Sequence, residues 1–312
     1  IEAADRGLFS RLLWENTAME PMAKMERADV IFCPANLAPV RKPALPLVLM
    51  VRNVAPLYPS VRKMLKRYEG TGKALHMLAL EFLTLASIRK ADHVLCLSRA
   101  TQELVKKWVP GTRSSVLYHG INPRFFPEAS RPKRAPEGPF FVYVSNVYVY
   151  KGLEYLIEAL TDDPSLPPVC VVGRPFDHGY HAAMCRKISE SRLEDRLVML
   201  GDVPYQDLPG WYSHAVALVY ASWCENCPNI LLEAMACGCP VVAMKIGPMP
   251  EIVGNAGWYA RPFDGASLKD AMRLAWHHSS SGDKKRKALA RSKEFGWERS
   301  LSVLLDSFHS FQ

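Results

Sequence analysis

The 312-residue chain contains no apolar run of the ~18 to 20 residues that a bilayer-crossing helix requires. Its longest run, Ala74 to Ile88, holds His76 and Glu81 and predicts a buried helix. The start of the chain lacks the positive region and short apolar core of a secretion signal, and eight cysteines in this length are too sparse for a disulfide scaffold. A reducing cytoplasm is the expected compartment. The chain has no internal repeat, no low-complexity tract and no G-x-S-x-G elbow, so neither a solenoid nor a hydrolytic triad is indicated. Disorder is excluded, because 49% of the residues are apolar, 10% aromatic and only 22% charged. Acidic side chains are scarce in one half only. Residues 1–134 hold 11 of them against 22 basic ones, a net of +11, whereas residues 135–312 hold 20 against 17. A basic half suits nucleic acid, an anionic membrane surface or a phosphorylated substrate, and charge alone does not choose among them.

What is present is an alternation of strands and helices. In the first half, strand-like runs at Asp29 to Cys33, Leu45 to Val51, Asp92 to Leu97 and Ser114 to Leu117 alternate with helical patterns at Phe9 to Glu26 and Gly72 to Lys90. Such alternation implies a parallel sheet with crossover helices. The segment Asn122 to Gly138 has four prolines and no period, which marks a linker. Beyond it, strands at Phe140 to Val144, Val169 to Val172, Leu197 to Leu200, Ala217 to Tyr220 and Pro240 to Met244 are separated by helices at Leu153 to Leu160, Tyr180 to Glu190, Leu208 to His214 and Pro228 to Cys237. Strands that are hydrophobic throughout indicate a doubly wound sheet covered on both faces. The expected domains are residues 1–134, residues 135–294 and a closing helix within residues 295–312.

In open parallel sheets ligands sit beyond the carboxyl ends of the strands, where free N–H groups at helix starts hold anions. Two loops there are chemically suggestive. The first, Ser145 to Gly152, offers Ser145 and Asn146 at a strand end and Lys151 just before a helix, where ammonium and helix dipole act together on a phosphate. The second runs from Ala221 to Asn229, with Pro228 suited to the first helical turn and Gly238 to the position after the last. It sets Glu225 in the loop and Glu233 in the second helical turn, so two carboxylates face one crevice. Glu233 among Leu232, Ala234 and Met235 is costly to bury without a donor, which a hydroxyl-rich ligand provides. Cys224, Cys227, Cys237 and Cys239 have zinc-like spacing, but the apolar helix between the pairs holds them roughly 15 Å apart, too far for one tetrahedral ion.

These motifs together resemble the retaining, nucleotide-sugar-dependent glycosyltransferases of family four, whose GT-B fold is α/β with two Rossmann-type, doubly wound parallel-sheet domains. The resemblance spans about 170 residues: Tyr143-Val144-Ser145 through Lys151-Gly152, Leu200-Gly201-Asp202-Val203, the E-x7-E pair Glu225 and Glu233, Pro250-Glu251-Ile252-Val253, and the closing Phe295-Gly296-Trp297-Glu298. It implies that Lys151, with Ser145, Asn146, Cys227 and Asn229, holds the donor diphosphate. Glu225, as the catalytic residue, and Asn226 contact the transferred sugar, and Glu233 takes the ribose hydroxyls. Arg52 and Asn53 fall on the acceptor side. No cofactor or metal is implied, since lysine and helix dipole neutralise the leaving group.

The chain departs from the family where many members carry Gly-Arg in place of Ser145-Asn146, and a His-Asp pair in place of Arg52-Asn53. The family's opening strand and glycine-rich loop have no counterpart before Asp29, so the first domain reads as shortened by one or two βα units of about 30 residues. The implied function is sugar transfer from a nucleoside diphosphate sugar to a glycan or lipid-linked acceptor in surface polysaccharide synthesis, with no nucleic acid partner. Two rivals stay open: an inert sugar-nucleotide-binding scaffold subunit, and a GT-B sugar-nucleotide epimerase. Arg62, Lys63, Lys66 and Arg67, interleaved with Val61, Met64 and Leu65, give an expected contact with an anionic membrane surface, peripheral on its inner face.

Overall fold

A computed structural model describes residues 8–128 and 130–311 as two parallel α/β sheets. In the first, α1 (Leu8–Thr17) and α2 (Met19–Met25) precede β1 (Ile31–Cys33) and β2 (Leu47–Val51). A helical hairpin, α3 (Pro59–Glu69) and α4 (Thr71–Lys90), leads to β3 (His93–Cys96), and α5 (Arg99–Trp108) leads to β4 (Ser114–Val116). The sheet runs β1-β2-β3-β4, every pair parallel. The single helical pattern expected from Phe9 to Glu26 is broken after Thr17, whose hydroxyl donates back to the Leu13 carbonyl at 2.7 Å. The break sets Pro21 in the first turn of α2, where its missing N–H costs nothing.

The second sheet begins with β5 (Phe141–Val144), α6 (Leu153–Asp162), β6 (Val169–Val172), α7 (His178–Glu190) and β7 (Leu197–Gly201). It continues with α8 (Leu208–His214), β8 (Leu218–Tyr220), α9 (Asn229–Ala236), β9 (Val241–Met244), α10 (Met249–Val253), β10 (Gly257–Ala260) and α11 (Gly265–His277). Its order is β10-β9-β8-β5-β6-β7. β5, β6, β8 and β9 are buried at every residue, the pattern of strands covered on both faces. The chain winds outward from β5 through β6 and β7, then returns to place β8 on the other side of β5, with Val142 opposite Leu218. That reversal between β5 and β8 opens a crevice at their carboxyl ends.

The two sheets are joined through the proline-rich stretch, and the last helices, α12 (Asp283–Ser292) and α13 (Trp297–His309), carry the chain back to the first one. Phe308 of α13 meets Phe32 of β1 edge-on at 5.5 Å, and the Ser300 hydroxyl donates to the Tyr118 carbonyl at 2.6 Å. On the opposite flank α3 touches α7, where Tyr68 packs edge-on against Tyr180 and the Tyr180 N–H donates to Glu69.

One expectation is corrected by the structure. The apolar run Ala74 to Ile88 does form a helix, α4, but it is not buried: Ala74, Leu85 and Ile88 face the core while Leu75, Leu78, Phe82 and Leu83 face outward. Among the described residues, α3, β2 and the short turn at 55–57 lie most extensively against it. Among the described residues no helix is long and apolar enough to cross a membrane.

Candidate active site

The loops after β5 and β8 flank the reversal point, and their contact builds the centre of the site. Gly152 takes φ +72°, and a Cβ there would lie 2.3 Å from the Ala221 carbonyl oxygen, so only glycine lets the first loop press against the end of β8. The contact sets Lys151 beside Glu225. Their Nζ and Oε1 atoms are 2.5 Å apart, and the two side chains are 10% and 11% exposed. The Ser222 hydroxyl donates to the same carboxylate oxygen at 2.5 Å. Lys151 Nζ also reaches the Tyr220 hydroxyl at 3.4 Å and stands 5.3 Å from the centre of the Tyr150 ring. The ammonium is thus held between a carboxylate and aromatic faces.

A cavity of about 820 Å³ opens in front of Glu225, between the two sheets. Glu225, Asn226 and Cys227 line it from one side, and Arg52 and Asn53 from the other. Asn36 fixes the latter loop, its side-chain oxygen accepting the N–H groups of Arg52 and Asn53 at 2.9 and 2.8 Å. Tyr148, Tyr150 and Phe176 add an aromatic wall, with Tyr148 and Tyr150 stacked at 5.3 Å and Phe176 4.3 Å from Tyr148. Sugar rings pack well on such faces.

Glu233 sits deeper, on α9. It is buried, and Tyr205 donates its hydroxyl to Oε1 at 2.7 Å. Burial lifts its pKa above the ordinary value of 4.5, with the Tyr205 hydrogen bond acting against the rise. Asn229 opens α9 and meets His119, whose Nδ1 is 2.6 Å from the amide oxygen. Burial, with Arg52 nearby, lowers the pKa of His119, and the hydrogen bond with Asn229 acts against the fall. Ser145 and Asn146 turn toward their own backbone and the β6 loop: the Ser145 hydroxyl donates to the Asn146 carbonyl, and Asn146 Oδ1 accepts from Arg174 N at 3.4 Å. Asn226 is engaged across the cleft. Its Nδ2 donates to the Val51 carbonyl at 2.6 Å and its Oδ1 accepts from the Thr101 hydroxyl at 2.6 Å.

The residues read from the sequence therefore divide. Lys151 and Glu225 meet directly; Arg52, Asn53, Asn226 and Cys227 line the cavity with Glu225; Lys151, Glu233, Asn229, Ser145 and Asn146 are not among its lining residues. Cys224, Cys227, Cys237 and Cys239 are all buried, and burial pushes the Cys227, Cys237 and Cys239 thiols up to about 12. Among the described residues no three His, Cys, Asp or Glu side chains are grouped to hold a metal ion. Sequence reasoning missed His119, Tyr205 and Thr101, and it gave no role to a residue it quoted in a motif, Glu251. The last closes the seam, accepting the N–H groups of Arg99 and Ala100 at 2.7 and 3.1 Å and the Tyr118 hydroxyl. A usable signal for His119 existed, since His119-Gly120 follows β4 at the carboxyl end of a parallel strand. Any Cβ on Gly120 would lie 2.4 Å from the Trp297 indole, which explains the glycine.

Comparison with known proteins agrees with this architecture. Residues 138–278 match the model of the family "Glycosyl transferases group 1". The chain carries a glycosyl transferase group 1 domain. That domain contains β5 through α11, and hence the Lys151–Glu225 pair. Among curated proteins, the chain is 26% identical over 204 residues to a D-inositol 3-phosphate glycosyltransferase of Arthrobacter sp. (strain FB24), covering 61% of this chain and 47% of that one. It is 28% identical over 197 residues to the O-antigen chain mannosyltransferase RfbU of Salmonella typhimurium, covering 62% and 53%. Over 114 residues it is 37% identical to the O-antigen chain mannosyltransferase B of Escherichia coli, covering 35% and 29%. The chain thus spans about half, or less, of the length of the curated relatives it matches. In fold, it superposes on sucrose-phosphate synthase from Thermosynechococcus elongatus with a TM-score of 0.75 at 20% identity, covering 99% of this chain and 79% of that one. Anabaena HepE, solved with UDP, gives 0.73 at 20% identity, covering 93% and 80%. The group 1 domain and its partner sheet together have the GT-B arrangement.

Proposed function

We propose that the protein is a retaining glycosyltransferase that moves a sugar from a nucleoside diphosphate sugar to a glycan or lipid-linked acceptor in surface polysaccharide synthesis. The observation that carries the reading is the Lys151–Glu225 pair at the reversal point of the group 1 domain, with Glu225 lining a cavity whose other wall belongs to the first sheet. A nucleoside diphosphate lying across the ends of β5 and β8 brings its phosphates to Lys151 and the start of α9. Anionic oxygens there compete with Glu225 for the ammonium, and the carboxylate turns to the hydroxyls of the transferred sugar. Positive charge at Lys151 and the helix start offsets the charge of the departing diphosphate without a metal. The buried carboxylate of Glu233 accepts from the ribose, displacing the Tyr205 hydroxyl that occupies it in the free protein. Asn226, whose amide spans the cleft, orients Glu225 rather than touching the sugar itself.

The acceptor enters from the Arg52–Asn53 side, where the aromatic wall of Tyr148, Tyr150 and Phe176 offers stacking faces. The O-antigen mannosyltransferases among the relatives and the UDP complex of HepE support the choice of a nucleotide donor and a glycan product. The test screens thermal stabilisation by UDP, GDP, ADP and dTDP sugars, since a ligand bound only to the native state raises its melting point. The best donor is then incubated with a lipid-linked glycan extract. Transfer with an unchanged anomeric configuration, read by NMR, supports the proposal. Donor binding without transfer returns the inert subunit, and turnover without acceptor returns the epimerase.

A further inference from the structure

We propose that His119 is a further donor-site residue supplied by the first sheet, its imidazole leaving Asn229 to bond the diphosphate of a nucleotide sugar at the start of α9. This role rests on the function proposed above and falls to a residue outside 138–278, the group 1 domain. The ring Nδ1 stands 2.6 Å from Asn229 Oδ1, across 110 residues of chain. His119 and Cys227 line the cavity, whereas Asn229 does not. An anion that approaches the free N–H groups of α9 from the cavity therefore meets the imidazole first.

The backbone on either side of His119 is fixed without help from the ring. The Tyr118 carbonyl accepts from the Ser300 hydroxyl at 2.6 Å, the Ile121 N–H donates to the Phe295 carbonyl at 3.1 Å, and Gly120 packs against the Trp297 indole. A side chain on so settled a loop binds with little further loss of freedom. Its charge state is the part that can change. Burial lowers the His119 pKa below 6.5 and the charge of Arg52 adds to the fall, against the hydrogen bonds with Asn229 and the Cys227 backbone. The Cys227 thiol, pushed up to about 12 by burial, adds no charge there. Glu225 is engaged with Lys151, and Glu251 with the N–H groups of Arg99 and Ala100. Lys73, His76 and Asp177 line the same cavity from α4 and the start of α7. The free protein thus holds an imidazole with little charge at neutral pH. A nucleotide sugar carries a negative charge on each phosphate, and on the donor's own sheet Lys151 shares its charge with Glu225. Phosphates brought beside His119 favour the imidazolium, so binding takes up a proton at this ring.

The experiment uses the full chain and whichever of UDP-glucose, GDP-mannose, ADP-glucose and dTDP-glucose raises its melting temperature most. The diphosphate of such a donor does not titrate near neutral pH, so protons exchanged on binding belong to the protein. Calorimetry at neutral pH, in buffers of differing ionisation enthalpy, should show uptake of a fraction of a proton by the unaltered chain. His119→Asn, which keeps a polar side chain beside Asn229 but cannot be charged, should remove that uptake. It should also weaken the nucleotide sugar at least tenfold at about pH 6, and less at about pH 8, while the matching nucleoside binds both proteins within about twofold. Taking the ratio of the two affinities cancels the titration of Glu233, which acts in both proteins. Equal proton uptake by parent and variant, or an affinity ratio that does not change with pH, overturns the role of His119 and leaves the donor reading intact. So does equal weakening of nucleoside and nucleotide sugar, which a merely structural ring would give. Stabilisation by none of the four nucleotide sugars overturns the donor reading and the role of His119 with it.

Discussion

Replacing Lys151 by Met keeps most of the side-chain volume but leaves the Glu225 carboxylate without its cation in a pocket where it is 11% exposed. At 2.5 Å, with an effective dielectric of about 20, the Coulomb attraction alone is roughly 6 to 7 kcal/mol, and most of it offsets the cost of dehydrating the two charges. What remains is the worth of a charged hydrogen bond, about 1.5 to 3 kcal/mol. For a domain of this size that corresponds to a fall in Tm of roughly 3 to 12 °C. Adding Glu225→Gln should return much of the loss, because it removes the stranded charge while Ser222 keeps a partner. Differential scanning fluorimetry on the two single variants and the double variant measures the coupling. The same proteins, titrated calorimetrically, should show Lys151→Met weakening a nucleoside diphosphate roughly 10- to 150-fold while the bare nucleoside binds as before. Losses that simply add across the double variant, together with equal weakening of nucleoside and nucleoside diphosphate, would refute both the ion pair and its role at the phosphates.

Glu233→Gln should leave the fold intact and weaken nucleotide binding roughly 10- to 150-fold, measured by calorimetry. Because burial raises the Glu233 pKa above 4.5, its ionised form costs stability, so this residue's contribution is most favourable in acid and is lost as pH rises through the raised value. Nucleotide affinity should run the opposite way, falling as acid protonates the carboxylate, and Glu233→Gln should flatten that profile. Glu225→Gln should keep nucleoside diphosphate affinity within a few fold yet lower kcat/KM for transfer by roughly 100-fold or more; equal kcat/KM in variant and parent would remove Glu225 from the sugar. Asn226→Ala strands the Val51 carbonyl and the Thr101 hydroxyl, so it should cost about 1 to 3 kcal/mol in thermal melts and enlarge the radius of gyration in small-angle scattering. An unchanged radius would mean that other contacts hold the sheets together.

Much of the group 1 domain was legible because its signals are local. Val169–Val172 and Leu208–His214 form just where hydrophobic runs and turn residues place them, and the loops that carry Lys151 and Glu225 follow from the strand ends. α5, β10 and α11 went unassigned. β10 is only four residues, Gly257–Ala260, and opens with a glycine, which hides it from a pattern that looks for branched residues. What the sequence could not show is which side chains meet across the cleft. Thr101 and Asn226 are 125 residues apart, and Arg99 and Glu251 are 152 apart, so no spacing rule reaches them. The outward face of α4 escaped for a related reason: an apolar helix reads as buried until its neighbours are placed, and Leu75, Leu78, Phe82 and Leu83 face outward.

The adjacency of Glu225 and Asn226 gives the cleft a sense of timing. One residue pairs with the cation at the donor loop, and the next, through a single peptide unit, is fastened to the Val51 carbonyl of the opposite sheet. On the function proposed above, a nucleotide sugar that parts the two sheets on entry breaks that fastening, while Glu225 keeps Lys151 and Ser222, its partners within its own sheet. Closure restores the fastening, so on that reading the tie between Asn226 and Val51 links the loop that carries Glu225 to assembly of the cleft, with one amide acting as the interlock.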